Sequence, residues 1–345
     1  MSLVRWKVFS VAVFLAISTM MLSIVKAQDA QPMNEITLGS GSGTLSSDGG
    51  ADSLASNGDS IAVIDGDGGT TTTAPTSTAG PEAITFDGTY VWIAMQFSNS
   101  ITRVRVSDGA VSGSFLVGKR PVALLYAASA IWVANLLSNN VTKLDPATGA
   151  VLGTYATGEG PGGLAFDGAN IWVANRNSNN VTKLSAKGTN LGTFAVGKRP
   201  MGVAVAGGNV WVANNFSRTV TRLSTAGAVL ATYPVGRGAF GVAAQGENVW
   251  ITNYFDKTVT KLRAADGVNL GTFKVGDGAA GLAFDGTNMW IVCNGDSTLM
   301  KVSPSTGTVL ATYATGKGPF SVAFDGTKVW VPNFASNSVS TTAAN

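Results

Sequence analysis

Seven basic residues recur through the middle of this sequence: Lys119, Arg120, Arg176, Lys198, Arg199, Arg218 and Arg237. Guanidinium forks hold carboxylate and phosphate through paired N–H donors, so arginines that converge are chemistry for capturing an anion. The aromatic residues Phe216 and Tyr254 are interleaved with them and could add a face for a sugar or an apolar body. Three aspartates follow, Asp256, Asp277 and Asp296. Carboxylate oxygens of this kind can hold a hard divalent cation. Histidine is absent from all 345 residues. General acid–base work near neutral pH would then need a strongly shifted carboxyl or amine. The one cysteine, Cys293, excludes an intramolecular disulfide, and its place after an apolar run suits inert packing.

These residues are carried by a repeat of about forty residues, best seen in GPGGLAFDGANIWVANRNSNNVTKLSAKGTNLGTFAVGKR, which starts at Gly160. Seven tryptophans mark it: Trp92, Trp132, Trp172, Trp211, Trp250, Trp290 and Trp330, spaced by 40, 40, 39, 39, 40 and 40 residues. Self-similarity at such a period means a repeat architecture. Within the unit, four short runs read as strands: Gly163–Phe166, Ile171–Ala174, Val181–Leu184 and Leu191–Val196, here termed a, b, c and d. Asp167-Gly168 between the first two reads as a two-residue hairpin turn. Seven such units, β-rich and without helical periodicity, predict an all-β fold: a seven-bladed β-propeller with four antiparallel strands per blade.

Two segments stand apart from the repeats. Residues 1–27 place Arg5 and Lys7 before an apolar run from Val8 to Val25, followed by Val25-Lys26-Ala27. This is the pattern of a signal peptide cleaved after Ala27, with an uncleaved membrane anchor as the alternative. The expected location is secreted or periplasmic. Residues 28–79 are rich in Ser, Gly, Thr and Asp. Asp29, Glu35, Asp48, Asp52, Asp59, Asp65 and Asp67 are acidic and no basic residue occurs, which reads as a flexible linker. The propeller region, 80–345, keeps 20 basic against 13 acidic residues. Those bases are spread around a ring, so no nucleic-acid role is expected.

The last unit ends soon after strand c, at Ser338–Thr341, without a strand d. The ring is therefore expected to close with a strand N-terminal to the repeats. Aligning the units places Thr72–Ser77 there, opposite Val339, with Ser60–Asp65 as the rival strand. Six asparagines follow strand b (Asn135, Asn175, Asn214, Asn253, Asn294 and Asn333) and are expected to bond their own b–c turn.

The consensus GPxGLAFDGxxxWVANxxSNxVTKLxPATGxVLGTYxxG resembles the YVTN and NHL propeller repeats, and is similar to the repeats of streptogramin (virginiamycin B) lyases. The likeness covers residues 81–345. For the lyases it implies a catalytic histidine and a magnesium ion held by carboxylates at the central channel. With no histidine in the chain, that mechanism has no residue to inherit it.

In such a propeller the d–a and b–c loops share one face at the channel mouth. The d–a loops carry Lys119, Arg120, Lys198, Arg199, Arg237 and Asp277. The b–c loops carry Arg176, Phe216, Arg218, Tyr254, Asp256 and Asp296. The expected function is a monomeric, non-catalytic scaffold that binds an anionic small molecule, a glycan or a protein at that mouth. No cofactor is expected beyond a divalent cation at the three aspartates. The alternative is a lyase-like or lactonase-like enzyme using carboxylates, lysine or a metal.

Overall fold

The computed structural model describes residues 31–41, 58–63 and 79–344. Repeat three forms one sheet of four strands, Pro161–Phe166, Asn170–Asn175, Asn180–Ser185 and Asn190–Ala195, each antiparallel to the next. Seven sheets of this kind follow one another along the chain, giving an all-β, seven-bladed propeller. Strand a of every blade faces the central channel, where residues 82–84, 122–124, 162–164, 201–203, 240–242, 281–282 and 320–322 line a common space. Strand b is the buried core of each blade, and its tryptophan is inaccessible or nearly so in all seven. Strand d is the outer edge, with alternate side chains in solvent.

The Asp-Gly turns do more than reverse the chain. Phe166 pairs with Ile171, so four residues lie between the last paired positions instead of two, and only Gly168 takes a positive φ. Asp167 accepts the N–H groups of Ala169 and Asn170 on one oxygen and the Trp172 Nε1–H at 2.8 Å on the other. Asp87, Asp285 and Asp325 hold Trp92, Trp290 and Trp330 in the same way. Blades two, four and five lack the aspartate: in blade four Trp211 donates to the Ala206 carbonyl, and in blade five Trp250 Nε1 has no hydrogen-bond partner. In blade two Ala128 and Ser129 both adopt positive φ, and Trp132 donates to the Ala127 carbonyl.

Neighbouring blades are joined by the basic residue of strand c. Lys143, Lys183, Lys261 and Lys301 each lie over the tryptophan of their own blade and donate to a carbonyl in the c–d turn of the next, or for Lys301 in the last residues of blade seven. Arg103 and Arg222 do the same from blades one and four. Each joint combines a cation–π contact with a charge-assisted hydrogen bond, together on the order of 2–3 kcal/mol. In blades one to six the tryptophan also packs against an aromatic ring of strand d, from Phe115 in blade one to Tyr313 in blade six. Six bases are thus spent on blade packing and are lost to any ligand site.

A strand N-terminal to the repeats closes the ring, but it is Asn34–Gly41 and not Thr72–Ser77. Ile36 pairs with Val339, and Gly58–Val63 pairs in turn with Asn34–Gly41. Thr72–Ser77 lies outside the described residues, as does the proposed signal segment, 1–27. The stretch read as linker therefore supplies two strands to blade seven, and Gln31–Pro32 adds a short parallel pairing to the outer strand of blade six. Spacing favoured 72–77, but the closing strand need not adjoin the first repeat when a long connection can cover the distance.

Candidate channel-mouth site

In every blade the d–a and b–c loops are hydrogen-bonded side by side, for example Arg176 N–H to Gly160 O at 2.8 Å and Asn215 N–H to Arg199 O at 3.0 Å. The two loop types therefore share one face, around the mouth of the channel. Asparagine ladders fix this edge. The Nδ2 groups of Asn135, Asn175, Asn214, Asn253 and Asn333 donate across the b–c turn to side chains five and seven residues on. In blade six this position is Cys293, which pairs with Ala279 where Asn253 pairs with Ala239. Asn294 is one residue further on and instead reaches the Pro319 carbonyl. Burial pushes the Cys293 thiol up to about 12, so it is inert at neutral pH.

The channel beneath the mouth holds a cavity of about 180 Å³, walled by mostly apolar side chains and by the exposed backbone of five glycines. Its walls include Ile84, Leu124, Leu164, Val203, Val242 and Leu282. Among the described residues, two ionisable side chains line it, Glu82 of blade one and Arg176 of blade three. Each keeps a little surface toward the lumen and is otherwise enclosed by protein. Neither Glu82 Oε2 nor Arg176 Nε has a hydrogen-bond partner. Burial raises the Glu82 carboxyl from 4.5 to about 7, with Arg176 and Arg120 opposing the shift. Burial also lowers the Arg176 basicity. Glu82 opposes this, while Arg199 and Arg120 reinforce it by repulsion. Four side chains from four successive blades therefore feel one another at this mouth.

Backbone geometry shows how the two loop arginines are placed. Arg120 and Arg199 have φ of 57° and 52°, in the left-handed region. The equivalent residue before strand a is glycine in the other five blades: Gly80, Gly160, Gly238, Gly278 and Gly318, all with φ between 63° and 73°. A side chain there costs on the order of 1 kcal/mol. The side chains of Asn99 and Asn179 hold the strained units by accepting the N–H of Arg120 and Arg199, each at 2.8 Å.

The other predicted residues divide into separate groups. Arg199 stacks over Phe216 at 4.7 Å. Arg218, Arg237, Phe216 and Phe255 border a second groove, of about 270 Å³. Arg237 is already paired there with Asp256 at 2.6 Å. Lys119 and Lys198 extend into solvent on the rim. Asp277 pairs with Lys257, and Asp296 accepts the Asp277 N–H. The three aspartates are thus individually engaged, and no group of acidic or cysteine residues among the described residues is arranged to hold a metal ion. Tyr254 donates its hydroxyl to Asn294 and packs against Phe240, which continues through Phe320 to Phe334. The mouth thus gathers Arg120, Arg176 and Arg199 on blades two to four and the aromatic chain Tyr254, Phe240, Phe320 and Phe334 on blades five to seven.

Sequence reasoning found Arg120, Arg176 and Arg199 but missed Glu82, Phe240 and Phe320. All three occupy the second position of strand a, a column that reads Glu82, Val122, Gly162, Met201, Phe240, Ala280 and Phe320. Reading down that column would have exposed a single charge among apolar side chains.

No family model matches the chain, and no curated protein matches it. Solved structures do. The chain is similar to Kuenenia stuttgartiensis hydrazine synthase, with a TM-score of 0.71 and 18% identity over 82% of this chain and 99% of that one. It is similar to a streptogramin B lyase, with a TM-score of 0.68 and 18% identity over 76% and 93% of the two chains. A catalytically inactive virginiamycin B lyase from Staphylococcus aureus with quinupristin gives 0.69 and 16% over 79% and 98%. At these identities the likeness is one of fold, and the fold is the seven-bladed propeller expected from the repeats.

Proposed function

We propose that this protein is a binding propeller that captures an anionic ligand at the loop-bearing mouth of its channel, and that it works outside the cytoplasm. One observation carries the reading: Arg120, Arg176 and Arg199 reach the same mouth from three blades, two of them from strained backbone. Exposed charge pairs contribute only about 0–1 kcal/mol each, so useful affinity needs several arginines acting on one ligand. A cleft lined by one sign also concentrates counter-ions. The test is calorimetric titration of the protein and an Arg120→Gln, Arg176→Gln, Arg199→Gln variant with organic anions and acidic glycans. The reading expects binding that the triple variant loses. Equal or absent binding by both proteins would reject it.

A catalytic reading draws support from Glu82. A carboxyl poised near pH 7 is matched to general acid–base work at neutral pH, which is otherwise hard to provide in a chain without histidine. Lyase-like or lactonase-like turnover that disappears in Glu82→Gln would favour it over simple binding.

A further inference from the structure

We propose that the central channel itself receives a small monocarboxylate with an apolar body no larger than a benzene ring, its carboxylate on Arg176 and its body against Phe240, Phe320 and Met201. This rests on the mouth being an anion site and specifies its occupant.

Size comes first. A cavity of about 180 Å³ is only a little larger than the ~150 Å³ apolar cavities known to take up benzene. It is too small for an oligosaccharide or a peptide. The other lining side chains are aliphatic or aromatic with one hydroxyl, that of Ser321, and five glycines leave backbone exposed between them. They offer a doubly charged phosphate or sulfate no second cationic side chain, and burying a charge without a partner is costly. A single carboxylate on an apolar body suits one cationic group among apolar side chains.

The polar groups fit the same ligand. Arg176 Nε is a buried donor without an acceptor, and Glu82 Oε2 is a buried oxygen without a partner. Buried polar atoms are rarely left so. A carboxylate between them would accept from the guanidinium and also from the Glu82 hydroxyl, provided Glu82 is protonated. Among the described residues no other ionisable side chain lines the cavity, and Arg120 and Arg199 act from the loops above. Proton and anion therefore bind together: the anion favours protonated Glu82, and ionised Glu82 repels the anion. Gly162 completes the site, since Arg176 fills the space in which a side chain at that position would stand.

Calorimetry on the full chain tests this with benzoate, its neutral analogue benzyl alcohol, and inorganic phosphate, at pH 6 and pH 8.5. Benzoate is expected to bind with one site per chain, at least tenfold more tightly at pH 6. Arg176→Gln should weaken benzoate tenfold or more and leave benzyl alcohol unchanged. Glu82→Gln should bind benzoate equally at both pH values. Gly162→Ala, which alters no charge, should also weaken benzoate and so guards against a misfolded Arg176 variant. Benzyl alcohol binding as tightly as benzoate, or benzoate binding indifferent to Arg176→Gln, overturns the proposal. Phosphate or acidic glycans that bind through the arginines while benzoate does not would overturn the channel occupant and leave the anion mouth standing. Failure of every anion would remove both.

Discussion

Arg176 lies directly over Gly162, its Nε where a side chain on residue 162 would begin. The two residues come from different strands of blade three and are coupled by space alone. In the other six blades the column occupied by Gly162 carries a side chain, and no other blade carries arginine where Arg176 stands. The expected consequence is that Gly162→Ala displaces the guanidinium, because the atoms in the way are the movable end of a side chain. Anion affinity should fall about tenfold while the melting temperature changes by only a few degrees, read by calorimetry and thermal unfolding on the same sample.

Arg120 offers a test with an unusual sign. Its φ of 57° is one that glycine adopts freely, and glycine stands at the equivalent position of five blades. Arg120→Gly should leave stability unchanged or raise it by up to about 1 kcal/mol, while weakening anion binding. A clear loss of stability would mean that Arg120 serves packing instead of a ligand. Denaturant unfolding reads the first effect and titration the second.

Glu82 makes stability depend on pH. Its carboxyl is raised from 4.5 to about 7 in the folded chain, so the folded state holds a proton that the unfolded state has released. Wild-type stability is therefore greatest below pH 4.5 in this respect and is lost as pH rises to about 7. The loss is on the order of 3 kcal/mol. Glu82→Gln should match the wild type near pH 4 and exceed it by up to that amount at pH 8, in urea unfolding at the two pH values.

The tryptophan anchors behave in the opposite direction. Burial alone would raise the Asp285 carboxyl, but hydrogen bonds from Asn288, Trp290 and Thr287 outweigh it and hold it below 3.8. That stabilisation is present above pH 4 and disappears as pH falls through the lowered value. Asp285→Asn leaves one acceptor oxygen where two now serve the turn amides of Thr287 and Asn288 and the Trp290 Nε1–H, the latter at 2.6 Å. It should cost roughly 1–3 kcal/mol at pH 7. The difference from wild type should shrink toward pH 2, as followed by melting temperature.

The forty-residue spacing of the tryptophans was enough to read seven blades, because each must occupy the same buried place in strand b. The closing strand was not readable in this way. Asn34–Gly41 has no repeat signature, and its place is fixed by the open edge at Val339, a contact some 300 residues away in sequence. The aspartates of the a–b turns, Asp87, Asp167, Asp285 and Asp325, looked like turn chemistry and proved to be acceptors for a tryptophan five residues later. The basic residues could be counted but not sorted: Lys183 and Arg176 differ by seven positions, yet one clamps a blade and the other faces the channel. Glu82 escaped notice because a lone carboxylate in a strand acquires meaning only when the strand is known to line a tube.

The central claim is that the channel mouth is a site for anions, and anomalous diffraction from crystals soaked in sodium bromide addresses it most directly. The account predicts an ordered bromide within hydrogen-bond reach of the Arg176 guanidinium, near Glu82, and its disappearance in Arg176→Gln crystals. A mouth without bromide, with the Arg176 guanidinium closed onto the Glu82 carboxylate as an internal ion pair, would contradict it.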